Sequence, residues 1–363
     1  MRGTLEFPAV RGIQAGREYY VSMCPLGFVH KIFIFNEKNE KALTPEMRVQ
    51  RHLNRSRVPE IARYLVSNPS SYVFSAITAS IDGEAVFRPF DQDVSGRHGT
   101  LEVPMSSKII LNDGQHRQAA IAQALLQSPE LADETIAVVL FHDRGLARCQ
   151  QMFSDLNRYA VRPPRSLNVL YDHRDDRALV AKHILKGIPD FADLVELERS
   201  SLSARAKQLF TLSALYTATA ALFVGHDFPN QDARGEIALD FWRQVSAVMP
   251  HWGEVRSGQT SSGALRDEYI HSHGVTLHAL GRVGNTLLKA GMDLSGALPA
   301  LGQIDWRRSS HLWKGRAVVA GRMSKSHQAV ILTGNQIKMA LKLPLSAEER
   351  ILEDNFMRQD HVA

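Results

Sequence analysis

The residues best suited to chemistry lie in one short string, Asn112-Asp113-Gly114-Gln115-His116-Arg117. It follows the apolar run Lys108–Leu111 and precedes a helical pattern from Gln115 to Leu126, so a strand, a turn and a helix start meet there. A new helix leaves its first N–H groups unpaired and turns the positive end of its dipole outward, which suits an anion. Gly114 lets the backbone take a left-handed turn or approach a ligand closely. Gln115 and His116 open the first turn, and Arg117 brings a guanidinium fork that can hold two phosphate oxygens. Asp113 could cap the helix, hold a metal or act on a water. The same string is also ordinary turn chemistry, with Asp113 as a plain N-cap and His116 and Arg117 solvated.

Two basic groupings could meet a phosphate backbone. The first is Arg48, Arg51, Arg55, Arg57 and Arg63 around the Thr44-Pro45 helix start, opposed by Glu46 and Glu60. The second is the segment 301–343. It carries Arg307, Arg308, Lys314, Arg316, Arg322, Lys325, Lys338 and Lys342 against Asp305 alone, a local excess larger than the +5 of the whole chain. Trp306 and Trp313 are interleaved with these cations, and Gln328–Leu343 can be read as two short helices around Thr333-Gly334-Asn335, a helix-turn-helix spacing. The alternative to both is a solvated face with internal ion pairs, the tryptophans belonging to the core.

The elements that must position these groups fall into two parts. Leu5–Val10, Arg17–Met23, Phe28–Phe35, Tyr72–Ile81, Ala85–Phe87, Lys108–Leu111 and Thr135–Phe141 read as strands, with a turn at Asp82-Gly83. Val58–Ser67, Gln115–Leu126 and Leu146–Leu156 read as helices, so the first part is an α/β layer structure. After Pro163-Pro164 strand signals nearly vanish. Ser166–Gly187, Ser201–Val224, Gly235–Met249 and Thr276–Gly291 read as amphipathic helices. The expected organisation is an α/β (α+β) domain over 1–162 and a mainly helical region over 163–363.

Composition excludes several classes. The chain has 363 residues, 44% hydrophobic and 22% charged, the balance of an ordinary globular protein long enough to build a core without staples. Its longest apolar stretch, Ala214–Val224, is too short for a membrane span, and the N-terminus lacks a signal-peptide pattern. Cys24 and Cys149 are too few for a disulfide framework or a four-cysteine zinc site, which points to the reducing cytoplasm. Cys24 has two readings, a small buried hydrophobe or a redox-responsive thiol near DNA. Glu268, His271, His273 and His278 do not complete a metal-ligand set, and no metal is expected. Walker, Rossmann and Gly-x-Ser-x-Gly patterns are missing.

The string Asp113-Gly114-Gln115-His116-Arg117 is the signature of the DGQHR-domain proteins. It also resembles the nucleotide-phosphate boxes of ParB-type proteins and sulfiredoxin, which sit at a helix N-terminus. Phe153-Ser-Asp-Leu-Asn157-Arg158 resembles the polar segment that completes the ParB nucleotide pocket. Over nearly the whole chain the sequence resembles the DndB-type proteins of DNA phosphorothioate modification. The motifs that carry this are Arg55-Ser-Arg57-Val-Pro-Glu-Ile-Ala-Arg63, Phe153–Asn157, Ser309-Ser-His-Leu-Trp313-Lys-Gly-Arg316 and Gly321-Arg-Met-Ser-Lys325. The resemblance implies a ParB/sulfiredoxin-like N-terminal domain and a DNA-binding repressor of the modification operon.

On that reading the partners are promoter duplex DNA, other proteins of the modification system and a second copy of the chain, with no membrane. Asp113, Gly114, Gln115, His116, Arg117, Asn157, Arg158 and Arg63 would bind a nucleotide or a phosphate. Arg55, Arg57, Arg307, Arg308, Lys314, Arg316, Arg322 and Lys325 would contact DNA. No cofactor is required, although the box could take a nucleoside triphosphate with Mg²⁺. The alternative is an enzyme, a nucleotide hydrolase or metal-aided DNA nickase using Asp113 and His116. A second alternative is a non-catalytic scaffold.

Overall fold

A computed structural model describes residues 3–33, 54–142, 146–158 and 162–360. The chain is mixed α/β and divides into two compact units, 1–161 and 162–363. Thr44-Pro45, Arg48 and Arg51 lie outside the described residues, as does the end of the Phe28–Phe35 run.

The first unit is a seven-stranded sheet with helices. Its strands are β1 (Thr4–Gln14), β2 (Arg17–Pro25), β3 (Ile77–Asp82), β4 (Val86–Pro89), β5 (His98–Pro104), β6 (Lys108–Asp113) and β7 (Thr135–Phe141), in the spatial order β4-β5-β1-β2-β7-β3-β6. All neighbours are antiparallel except β3 and β7. Burial alternates along β5 and β7, as expected of strands with one face on a core. That core joins Ile77, Ala79 and Ile81 of β3 to Ile109 and Leu111 of β6. The described helices are α1 (Leu26–Ile32), α2 (Val58–Ser67), α3 (Gln115–Leu125) and α4 (Leu146–Arg158).

Three sequence expectations change here. Phe28–Phe35 was expected as a strand, but Leu26–Ile32 is helical. Leu26, Val29 and Phe33 recur at helical spacing and are buried, and Gln118 of α3 donates to Phe33 O at 2.9 Å. Tertiary burial outweighs the β-branched and aromatic composition. The strand expected over Tyr72–Ile81 begins at Ile77, where pairing with Val138 of β7 starts. Asp82-Gly83 does turn the chain, but β4 pairs with β5 while β3 pairs with β6 and β7, so no local hairpin forms.

The second unit is helical: α5 (Arg165–Tyr171), α6 (Asp176–Gly187), α7 (Pro189–Leu194), α8 (Leu212–Leu222), α9 (Gln231–Val248), α10 (Trp252–Arg256), α11 (Ser262–Glu268), α12 (Gly274–Lys289), α13 (Leu294–Ala297), α14 (His327–Ala340) and α15 (Ala347–Asp360). Two short strand pairs accompany them, β8 (Val195–Glu196) with β9 (Phe210–Thr211) and β10 (Val318–Val319) with β11 (Arg322–Met323). The helix expected over Ser166–Gly187 is two helices, because Asp172 Oδ1 accepts from Arg174 N and Asp175 N and makes a turn. The one expected over Ser201–Val224 starts at Leu212. The buried Arg266 takes the carbonyls of Ser203, Ala204, Ala206 and Gln208, and these hold the preceding segment as a loop. Among the described residues no helix is long and apolar enough to cross a membrane.

Candidate functional site

The box sits where β6, at the edge of the sheet, delivers the chain into α3. Gly114 makes the junction with φ +107, a conformation that favours glycine. A Cβ there would lie 2.9 Å from Ile77 Cγ1 and 3.2 Å from Arg117 Nη2, so the bare backbone also makes room for the guanidinium. Gly114 is itself the N-cap residue and brings no capping side chain. The plain N-cap reading of Asp113 is therefore corrected. Its Oδ2 accepts from Arg117 Nη2 at 2.7 Å.

Arg117 is held from three sides. Besides Asp113, Nη1 donates to Ser75 Oγ at 2.6 Å and Nη2 to Ala76 O at 3.1 Å. Residues 72–76 have no ladder partner, and two of them instead receive this guanidinium. His116 Nε2 accepts from Asn54 N at 3.0 Å, which leaves Nδ1 as the nitrogen that can carry the proton. Asn112 donates to Ser80 Oγ at 2.6 Å and to Met152 Sδ of α4 at 2.8 Å.

Three buried polar atoms in this string have no hydrogen-bond partner among the described residues, Asn112 Oδ1, Gln115 Nε2 and Arg117 Nε. Buried polar atoms are usually matched, and each left open costs about 1–3 kcal/mol. Beside Arg117 a groove of about 390 Å³ is lined by Arg57, Glu60, Tyr64, Val73 and Ser75. It presents a cation, a hydroxyl and an aromatic wall, a chemistry that suits a phosphate ester.

The other residues expected at this site are placed as follows. Arg63 is exposed on α2 and does not line the groove; Arg57, Glu60 and Tyr64 on the same helix do. Asn157 is exposed and donates to Phe153 O of its own helix at 2.7 Å. Arg158 and Arg55 are exposed. Tyr64 and Ser75 were not anticipated, since nothing in the sequence marks a serine before a strand as a partner for an arginine forty residues on. Cys24 is 1% exposed, and burial pushes its thiol up to about 11. The sulfur is a core atom whose burial disfavours the thiolate, which supports the reading of Cys24 as a small buried hydrophobe.

The basic segment 301–343 separates into two classes. Arg307, Lys314, Arg322 and Lys325 are exposed and Arg308 is half-buried. Arg322 follows the β10–β11 tip, where Ala320 (φ 48) and Gly321 (φ 73) form a tight turn with both central residues left-handed. Arg316 is buried and clamps both oxygens of Glu353, with its guanidinium over the Phe356 ring at 4.4 Å. This corrects its place among the DNA contacts. Lys338 is likewise buried against Glu349 at 2.8 Å. Trp306 and Trp313 are buried and stacked, with ring centroids 5.2 Å apart. The helix-turn-helix expectation fails too. Residues 327–340 are one helix, with Thr333, Gly334 and Asn335 buried and Asn335 donating to Glu349 O. Carboxylates at Glu349 and Glu353, one turn apart on α15, are the sequence signal that could have identified the buried cations.

The histidines near α12 do not form a metal set. His271 is fully buried, its Nδ1 accepts from Trp252 Nε1 at 3.1 Å, and its pKa falls to about 3 through burial. Among the described residues no cluster of three or more metal-ligating side chains occurs.

Residues 7–344 match the family model of DndB, described as DNA-sulfur modification-associated. Comparisons with curated proteins and with solved structures found no match.

Proposed function

Because the chain belongs to the DndB family of DNA-sulfur modification-associated proteins, we propose that it is a DNA-binding repressor of a phosphorothioate modification operon. The observation that carries this reading is the exposed set Arg307, Lys314, Arg322 and Lys325, with the half-buried Arg308 beside it. Among the described residues Lys314, Arg322 and Lys325 have no carboxylate partner, and their charge is available to phosphates. Arg307 is 4.0 Å from both Glu268 and Asp305, too loose to neutralise it. Each phosphate neutralised by such a cation releases counterions and adds affinity. The exposed hairpin tip next to Arg322 is held by Arg308, which donates to Gly321 O at 3.2 Å.

The box is the second part of the proposal. The unmatched donors Gln115 Nε2 and Arg117 Nε and the groove beside Arg117 favour a phosphate group as ligand, from a nucleotide or from DNA. A nucleotide that binds one conformation better than another would shift DNA affinity by the same coupling energy. A second copy of the chain would match a palindromic operator. Other proteins of the modification system are further partners.

The test is binding of the full chain to the duplex upstream of the modification operon over a salt series, with ATP hydrolysis followed in parallel. Steep salt dependence, reduced by about one unit of slope for each of Lys314→Ala and Arg322→Ala, is expected. Salt-insensitive or absent binding overturns the reading. ATP turnover that Arg117→Ala abolishes would make the protein a nucleotide hydrolase.

A further inference from the structure

A cavity of about 1210 Å³ in the helical unit is lined by α6, α8, α9, α12, the end of α14 and the start of α15. Ligand pockets usually span about 300–1,000 Å³, so there is room for a nucleotide. Nothing in the reading above uses this space.

Cations outnumber carboxylates in it, five to three. Arg177, Arg234, Arg282, Lys289 and Lys338 line it, against Asp227, Glu348 and Glu349. Glu349 is already shared by Lys338 at 2.8 Å and Arg282 at 3.1 Å. Arg234 reaches Asp176 at only 3.7 Å and lies over the Phe228 ring. Among the described residues Arg177 and Lys289 have no carboxylate partner, and both are exposed. The pKa of His278, one turn before Arg282, is lowered by burial first and then by the nearby Arg282, His327 and Arg165. Among the described residues, His226 Nε2 and Arg234 Nε are buried and have no hydrogen-bond partner.

The wall is built rather than incidental. Asn285 donates to Leu222 O and Val224 O, both at 2.9 Å, and fixes the loop after α8. Gly225 in that loop has φ +74, and a Cβ on it would lie 3.3 Å from Lys289 Nζ. The bare loop thus packs against the ammonium. Phe223, Val224, Pro344 and Leu345 add apolar lining to the same space. A lining that mixes cations with apolar side chains matches a molecule that carries both a phosphate and an apolar part.

We infer that the helical unit carries a second anion site, for a small phosphate-bearing ligand of nucleotide size, gripped by Lys289 and Arg177. This site is separate from the box and does not depend on the DNA reading.

The test is calorimetric titration of the full chain with pyrophosphate and with ATP, without divalent metal. In the Arg117→Ala background, which removes the box, saturable binding at one site is expected. Adding Arg177→Gln and Lys289→Gln should weaken it at least tenfold, whereas Lys289→Arg alone should hold it within about threefold. Both residues are exposed, so the double variant should unfold at the wild-type midpoint, and a lower midpoint would tie them to folding and overturn the assignment. No binding of either probe, or equal binding by the double variant, overturns it. So does full displacement by duplex DNA, because the cations would then be part of a nucleic-acid surface. Loss of promoter binding on Lys314→Ala and Arg322→Ala is read separately, so either proposal can fail alone.

Discussion

At the scale of single residues, the box depends on one backbone angle and one guanidinium. Gly114→Ala forces a side chain into φ +107 and against Ile77 and Arg117. It should destabilise the protein by about 1–3 kcal/mol in a denaturant titration, from backbone strain alone. Arg117→Lys keeps the charge but lacks a fork able to reach Asp113, Ser75 and Ala76 together, so it should not restore what Arg117→Ala loses. Arg316 behaves differently from its basic neighbours. Arg316→Ala strands Glu353 in the interior and should cost about 3–5 kcal/mol, yet the salt slope of DNA binding should match wild type when read below the unfolding transition. A reduced slope would return Arg316 to the DNA surface. A run of like charges in the chain thus splits by burial into contacts with solvent and contacts with α15.

At the scale of elements, α15 completes the helical unit. It supplies Glu353 to Arg316, Glu349 to Lys338 and Arg282, and Phe356 to the Arg316 guanidinium. A chain ending at Ser346 leaves Arg316 and Lys338 buried without counter-charge. The helical unit should then lose its cooperative thermal transition, followed by tryptophan fluorescence, since Trp242, Trp252, Trp306 and Trp313 all lie in its core. A retained transition would show that α15 only decorates the fold. The elements also show where pattern reading succeeds. Val58–Ser67 and Gln115–Leu125 were legible because their apolar residues repeat at helical spacing and Pro or Gly marks their starts. The helix over Leu26–Ile32 was not, because its apolar run fits a strand equally well until Pro25 ends β2 and α3 packs on it.

At the scale of the whole molecule, stability should depend on pH through buried histidine. His271 is neutral in the fold, with a pKa near 3 set by burial, and titrates near 6.5 when unfolded. The unfolded chain therefore binds more protons between these values, and stability falls as pH drops through 6.5. His273 and His278 are lowered by burial and act in the same direction. Between pH 7 and pH 5 the His271 share is about 2 kcal/mol. His271→Gln, which keeps an acceptor for Trp252, should flatten that dependence in denaturant titrations at the two pH values, and an unchanged slope would remove His271 as its source. The two hydrophobic cores draw on separate stretches of chain, residues 7–140 and 169–343. A fragment spanning 162–363 should accordingly fold alone, with a single transition by circular dichroism. A molten fragment would show that the first unit is needed.

The sequence by itself determined the α/β character of the first unit, the helical character of the second and the family. It also located the box, because a strand, a glycine turn and a helix start are local events set by nearest neighbours. It did not determine which cations face solvent. Arg316 and Arg322 are six residues apart and equally basic, and only long-range packing makes one a buried partner of Glu353 and the other a hairpin-tip charge. Nor did it show Ser75 and Ala76 holding Arg117, or six helices and a bare glycine lining a cation-bearing cavity. Those depend on contacts between residues tens of positions apart, which leave no periodic trace along the chain and exist only once both cores have closed.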